Sequence, residues 1–195
     1  MNKKETVFWE QFIKWTLDDI DVCIKYNANV GAAKLICSAI DSFGSFYVGR
    51  GFMGDENRVR PKGGSGNTDE KSGVRDAFVA FGSNYMSDLK TFIVTIDGLG
   101  KKNGVEILYD HFRNGLIHAG MPGIGLGIVR NDDQNVFLRK DGFVAMVNII
   151  ALRSALDCGL KKFTVDLNDS NQPERLVRWR DRYSSLELFY LKKFR

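Results

Sequence analysis

The sequence predicts a mainly α-helical fold in a single domain, residues 1–195, and three features of its composition support that prediction. With 195 residues, 44% of them hydrophobic and 27% charged, the chain can bury one sizeable core. Its three prolines, at positions 61, 122 and 173, leave most of the chain free to form long helices. Its fourteen phenylalanines supply large apolar side chains for a helix-packed interior.

Apolar residues recur every three or four positions over several long stretches, which is typical of amphipathic helices. The predicted helices cover residues 5–27, 30–48, 74–96, 105–119, 143–158 and 173–194. The core face of the helix over 105–119 consists of Val105, Leu108, Phe112, Leu116 and Ala119. Glycines and a proline in residues 120–123 end that helix.

Two segments depart from the helical pattern. Residues 49–73 are dense in glycine and polar residues and predict a long flexible loop. Its basic side chains could contact phosphate, but a solvated insertion is the favoured interpretation. Residues 124–130 and 135–140 alternate in β-like fashion around a turn, so we expect a small β-hairpin near 124–140.

Several classes of protein are disfavoured by composition. No apolar run approaches the roughly 18 residues of a membrane helix, and the N-terminus lacks the apolar core of a signal peptide. We therefore expect a cytoplasmic protein without membrane contact.

The three cysteines, at positions 23, 37 and 158, form no Cys-x-x-Cys pair and are expected to be small buried hydrophobes. The net charge of +4 permits a polyanionic partner without requiring one.

The two histidines of the chain, His111 and His118, both fall on the predicted helix over 105–119. Seven positions are close to two turns, so they share a face with Asn114 between them, and that face is expected to be exposed or packed against another subunit. Asp110 and Arg113 flank this strip. A histidine pair lacks the further ligands that zinc needs, so we expect no metal and no cofactor.

The same helix carries a motif of an arginine, a polar residue and, after four intervening positions, a histidine. Its residues are Arg113-Asn114-Gly115-Leu116-Ile117-His118. The motif resembles the signature of the HEPN superfamily of helical-bundle proteins, and the resemblance covers the helices from roughly 5 to 120. The insertion at 49–73 and the hairpin at 124–140 depart from a minimal bundle.

The resemblance implies a metal-independent endoribonuclease of toxin or defence type. Its partners would be RNA, a second copy of the chain in a homodimer, and an antitoxin protein. Arg113, Asn114 and His118 would be the catalytic residues, and Tyr109, Asp110 and His111 of the preceding turn would bind the substrate. Histidine suits proton transfer near neutral pH, and an arginine fork can stabilise charge on the scissile phosphate.

Helical geometry adds a constraint on this chemistry. Arg113 and His118 are about 140° apart on a straight helix, so one protomer would struggle to bring both to one phosphate. A symmetric dimer would bring two such helices together. Gly115, inside the motif, would permit a local distortion or the close approach of another helix.

Two other functions stay open. One is a non-catalytic HEPN-like module that binds nucleotides, RNA or a protein through the same face. The other is a helical scaffold in which Arg113 pairs with Asp110 and His118 merely contacts a neighbour. The glycine run over 120–127 lacks the context of a phosphate loop and is rejected as one. The basic and aromatic run over 175–183 could grip single-stranded RNA, but a solvated helix face is favoured.

Overall fold

The computed structural model describes residues 1–49, 70–96, 100–123 and 125–193, and this part of the chain is mainly helical, as predicted. Its helices are α1 (Lys3–Lys25), α2 (Asn29–Val48), α3 (Glu70–Tyr85), α4 (Asp88–Thr91), α5 (Gly104–Ile107), α6 (Asn114–His118), α7 (Ile149–Leu167) and α8 (Pro173–Lys193). A π-helical segment, Leu108–Arg113, joins α5 to α6. The strands are β1 (Ile93–Ile96), β2 (Gly100–Asn103), β3 (Leu126–Val129), β4 (Phe137–Leu138) and β5 (Ala145–Asn148). None of the described helices is long and apolar enough to cross a membrane.

The core is centred on Trp9 of α1, which is fully buried. Its ring meets the rings of Phe43, Phe46, Phe163 and Trp179 edge-on, with centroids 5.4–5.8 Å apart. These edge-to-face contacts join α1, α2, α7 and α8 around one aromatic cluster. The cysteines divide: Cys37 is buried as predicted, Cys23 is half-buried and Cys158 is exposed.

Helices α2 and α3 run in the same direction. Phe43 contacts Phe81, and one turn later on both helices Tyr47 contacts Tyr85. The backbones touch at Gly44, where an added Cβ would lie 2.5 Å from the carbonyl oxygen of Ala77. The chain between the two helices includes most of the predicted loop over 49–73, and residues 50–69 lie outside the described part. Residues 70–73 belong to α3 and not to a loop, because they extend its first turn.

Helix α8 has the solvated face that was favoured over 175–183, with Val177, Arg180 and Asp181 exposed, but its opposite side is packed against the core. Trp179 is fully buried in the aromatic cluster, and the guanidinium groups of Arg175, Arg178 and Arg182 lie 5.6–5.9 Å from the ring centres of Tyr85, Tyr47 and Phe46. Those rings stand at or near the C-terminal ends of α2 and α3. Cations stabilise helix C-termini and aromatic faces, so this basic run has a structural explanation.

Strands form at both runs predicted for the hairpin, but they do not pair with each other. β3 pairs in parallel with β5, and β4 pairs with the other edge of β5 in antiparallel fashion. The intervening residues fold over the fully buried Asn148, whose Nδ2 donates to Asn131 Oδ1 and to the Asp133 carbonyl, each at 2.7 Å. Asn148 also caps α7, so the helix predicted to begin at 143 begins at Ile149.

The helix predicted over 74–96 ends earlier, at Tyr85. After the short helix α4 the chain forms β1, which pairs antiparallel with β2 in the register Ile93↔Asn103 and Ile96↔Gly100. This two-stranded sheet leads directly into α5. Asn103 caps α5 in a reciprocal capping box with Glu106, which fixes where the motif-bearing helix begins.

Candidate functional site

The motif lies on a helix that is not a regular α-helix. Between α5 and α6, residues Leu108–Arg113 adopt a π-helical turn, and the backbone N–H of Asn114 bonds to the carbonyl of Tyr109, five residues earlier. Such turns are uncommon and frequently occur at functional sites. The predicted core positions Val105, Leu108, Phe112 and Leu116 are fully buried, whereas Ala119 is exposed.

A short loop after α6 holds the wider turn in place. The backbone N–H of Gly123 donates to the carbonyl of His111 at 2.8 Å. A Cβ on Gly115 would lie 2.6 Å from both the Gly123 nitrogen and the Met121 oxygen. The close approach at Gly115 is therefore made by this loop and not by a second helix, which was the partner expected from the sequence.

Arg113 points inward from the end of the π-helical turn, with 16% of its side chain exposed. Its Nε donates to Asp41 Oδ2 at 2.9 Å, and its Nη2 lies 2.8 Å from the same oxygen. Its Nη1 donates to Asn114 Oδ1 at 3.1 Å, and the guanidinium lies 5.3 Å from the ring centre of Tyr109. Of the five donors of an arginine, one N–H on each terminal nitrogen stays without a partner among the described residues.

Asp41, on α2, contacts Arg113 of the candidate site and was not among the residues predicted from the sequence. Burial raises the pKa of its carboxyl, and the hydrogen bond and charge of Arg113 offset that rise only in part. Its Oδ1 is buried and has no hydrogen-bond partner within the described chain. One turn earlier, burial also raises the pKa of the Cys37 thiol. One feature of the sequence could have pointed to Asp41: it is the one acidic residue in the α2 sequence.

Asp110 has a different partner from the one expected in the scaffold hypothesis. Its carboxylate accepts from Arg75 of α3 at 2.8 and 3.1 Å and from Lys102 of β2 at 3.4 Å. Burial alone would raise the pKa of Asp110, but the hydrogen bond and charge of Arg75, helped by Lys102, outweigh it and lower that pKa. The predicted Arg113–Asp110 pair is wrong, since Asp41 takes the place of Asp110.

The predicted polar strip is divided by the π-helical turn. His118 is exposed at the end of α6, beside Ile117 and Met121, whose side chains are 41% and 68% exposed. His111 is half-buried, and its Nε2 is buried without a hydrogen-bond partner in the described residues. A π-helical turn advances fewer degrees per residue than an α-helical one, so His111 does not keep its phase with His118.

Tyr109, predicted to bind substrate, is 7% exposed. Its ring packs against Phe78 on one side and under the Arg113 guanidinium on another. The fold thus brings Tyr109, Arg113 and Asn114 together with Asp41, and it leaves His118 at the surface on the next turn. Within the described ranges, no three His, Cys, Asp or Glu side chains come together in a way that could hold a metal ion.

Comparison with known proteins finds no match to the chain among protein-family models, curated proteins or solved structures.

Proposed function

We propose that this chain is a cytoplasmic, metal-independent endoribonuclease of the HEPN type that works as a homodimer. The observation that carries the proposal is the arrangement of Arg113. Asp41 and Asn114 occupy three of its five N–H groups, and the remaining two, one on each terminal nitrogen, have no partner among the described residues. Two N–H groups of one guanidinium form a fork that can donate to two oxygens of a phosphate.

The chemistry would follow the intrinsic reactivity of RNA. The 2′-hydroxyl attacks the adjacent phosphate, the O5′ bond breaks, and a 2′,3′-cyclic phosphate and a 5′-hydroxyl remain. His118 would take the proton from the 2′-hydroxyl or return one to the leaving O5′. Arg113 would stabilise the charge that develops on the phosphate oxygens.

The proposed reaction needs a dimer because Arg113 and His118 of one protomer lie on different sides of the helix and cannot both reach one phosphate. Five helical steps separate them by about 140°, and Arg113 is largely buried where His118 is exposed. A twofold-related copy would supply the second histidine. The exposed apolar side chains of Ile117 and Met121 beside His118 favour this face for the contact. In a toxin or defence setting, an antitoxin protein would bind this same face.

The same separation favours a second candidate, a non-catalytic module that binds RNA or nucleotides through Arg113. In that case the open fork holds a phosphate and His118 performs no proton transfer. The two candidates differ in one outcome, cleavage, since both require a phosphate at Arg113.

The test is incubation of the purified protein with mixed RNA in excess EDTA, beside Arg113→Lys and His118→Ala. Arg113→Lys keeps the charge and loses the fork, and His118→Ala removes an exposed side chain without disturbing the core. We expect cyclic phosphate ends from the wild type and loss of cleavage in both variants. RNA binding without cleavage would favour the binding module, and neither binding nor cleavage would reject both.

A further inference from the structure

The contacts of Asp41 are poorly explained by stability. The carboxylate is 18% exposed, and only one of its oxygens is used, by Nε and Nη2 of Arg113 together. The other oxygen, Oδ1, is buried with no partner in the described part of the chain. A buried ion pair often contributes little net stability, because desolvation of both charges offsets their attraction. An acid in the otherwise uncharged middle of α2 therefore calls for another role.

We infer that Asp41 is the positioning residue that orients the Arg113 guanidinium toward the scissile phosphate, an inference that rests on the proposed cleavage function. Asp41 holds the Nε edge of the group, Asn114 holds Nη1, and the ring of Tyr109 lies 5.3 Å from its centre. The two hydrogen-bonding partners fix the orientation of the guanidinium within its plane, and the Tyr109 ring covers one of its faces. The open N–H groups are those on its two terminal nitrogens.

Preorganisation is the reason that such a residue matters. Donors that are already aimed at the developing charge need no rearrangement at the moment of reaction. A misplacement of about 1 Å can lower a rate by about 100-fold. Without Asp41 the long Arg113 side chain would keep its charge but would sample other rotamers, and the fork would lose its direction.

The experiment compares Asp41→Asn with the wild type and places both in an Arg113→Ala background. We expect Asp41→Asn to lower kcat by about 100-fold with a small change in KM. In the Arg113→Ala background the same substitution should change the residual rate less than twofold, because Asp41 acts only through Arg113. Asp41→Glu keeps the charge and moves the carboxylate by one methylene, so it should also lower kcat.

A matched control is Asp166→Asn. Asp166 pairs with Arg175 between α7 and α8, is 28% exposed and lies outside the candidate site. This variant loses a carboxylate–arginine pair of similar burial and should cleave RNA as the wild type does.

A further measurement is independent of activity. The Nε–H proton of Arg113 gives a ¹⁵N–¹H signal that can be identified by its absence in Arg113→Lys. This proton should exchange slowly with solvent in the wild type and rapidly in Asp41→Asn.

The outcomes separate the two proposals. A wild type that cleaves while Asp41→Asn cleaves equally well overturns the role of Asp41 and leaves the cleavage function standing. Additive losses in the Arg113→Ala background also overturn it, because they would show an effect on folding at large. A wild type that cleaves no RNA defeats the proposed function and this inference with it, even where the Nε–H signal behaves as expected.

Discussion

The carbonyl oxygen of His111 accepts a hydrogen bond from the backbone N–H of Gly123 at 2.8 Å. Within a regular α-helix that carbonyl would bond to the N–H four residues later, at Gly115. Here the loop after α6 supplies this carbonyl, which lies in the π-helical turn, with a donor from outside the helix. The direction of Arg113, at the end of the turn, therefore depends on a loop that is not part of the motif.

Gly115→Ala should break this arrangement. The added Cβ would lie 2.6 Å from two backbone atoms of residues 121–123, which cannot move aside as a flexible side chain could. Overpacking of this kind costs about 1–3 kcal/mol, and we expect that loss in urea unfolding. As a control, Gly31→Ala meets its nearest neighbour, the Cys23 sulfur, at 3.4 Å and should be neutral or stabilising by up to about 1 kcal/mol. Equal stability of the two variants would contradict the close approach at Gly115.

Asn148→Ala should destabilise the three-stranded sheet and the start of α7 together. The side chain is fully buried, donates two hydrogen bonds at 2.7 Å and accepts from the backbone N–H groups of Ile150 and Asn131. Loss of a cap and of two donors predicts about 2–4 kcal/mol in chemical denaturation. Asn168→Ala removes an exposed asparagine bond to the Thr164 carbonyl and should cost much less. A loss below about 1 kcal/mol for Asn148→Ala would rule out this account.

Local patterns were enough to predict α1, α2 and α8, because each has a long amphipathic stretch. They failed for β5, since a short and fully buried apolar run carries no period that separates strand from helix. The π-helical turn could not be predicted from residues 108–113, because one of its carbonyl groups, that of His111, accepts a hydrogen bond from Gly123 in a later loop. In the candidate site, Arg113 was predicted and its partner Asp41 was not, since 72 positions separate them.

The pKa of Asp110 leads to a prediction about stability and pH. Burial raises this pKa, but Arg75 and Lys102 outweigh burial and hold it below its ordinary value of 3.8. A carboxyl whose pKa is lower in the folded state adds stability above its unfolded pKa, and that stability is lost as pH falls through the folded value. Asp110→Asn should therefore be less stable than the wild type at pH 7, and the difference should shrink below about pH 4. Urea unfolding of both proteins across this range is the measurement, and a difference that grows on acidification would contradict the lowered pKa.

The surface around His118 offers the most direct test of the proposed homodimer. Met121 is 68% exposed and packs beside the motif through its backbone contact with Gly115, so a charged side chain there should leave the fold intact. A lysine at the centre of a symmetric contact meets its own copy and must also be desolvated, and both effects oppose association. We expect Met121→Lys to retain the wild-type melting temperature, to sediment as a monomer and to lose cleavage. Val165→Lys, at a position 69% exposed on α7, is the matched control and should remain dimeric and active. A dimeric, active Met121→Lys would place the contact elsewhere, and a monomeric wild type that still cleaves RNA would mean that one protomer brings Arg113 and His118 to the phosphate by itself.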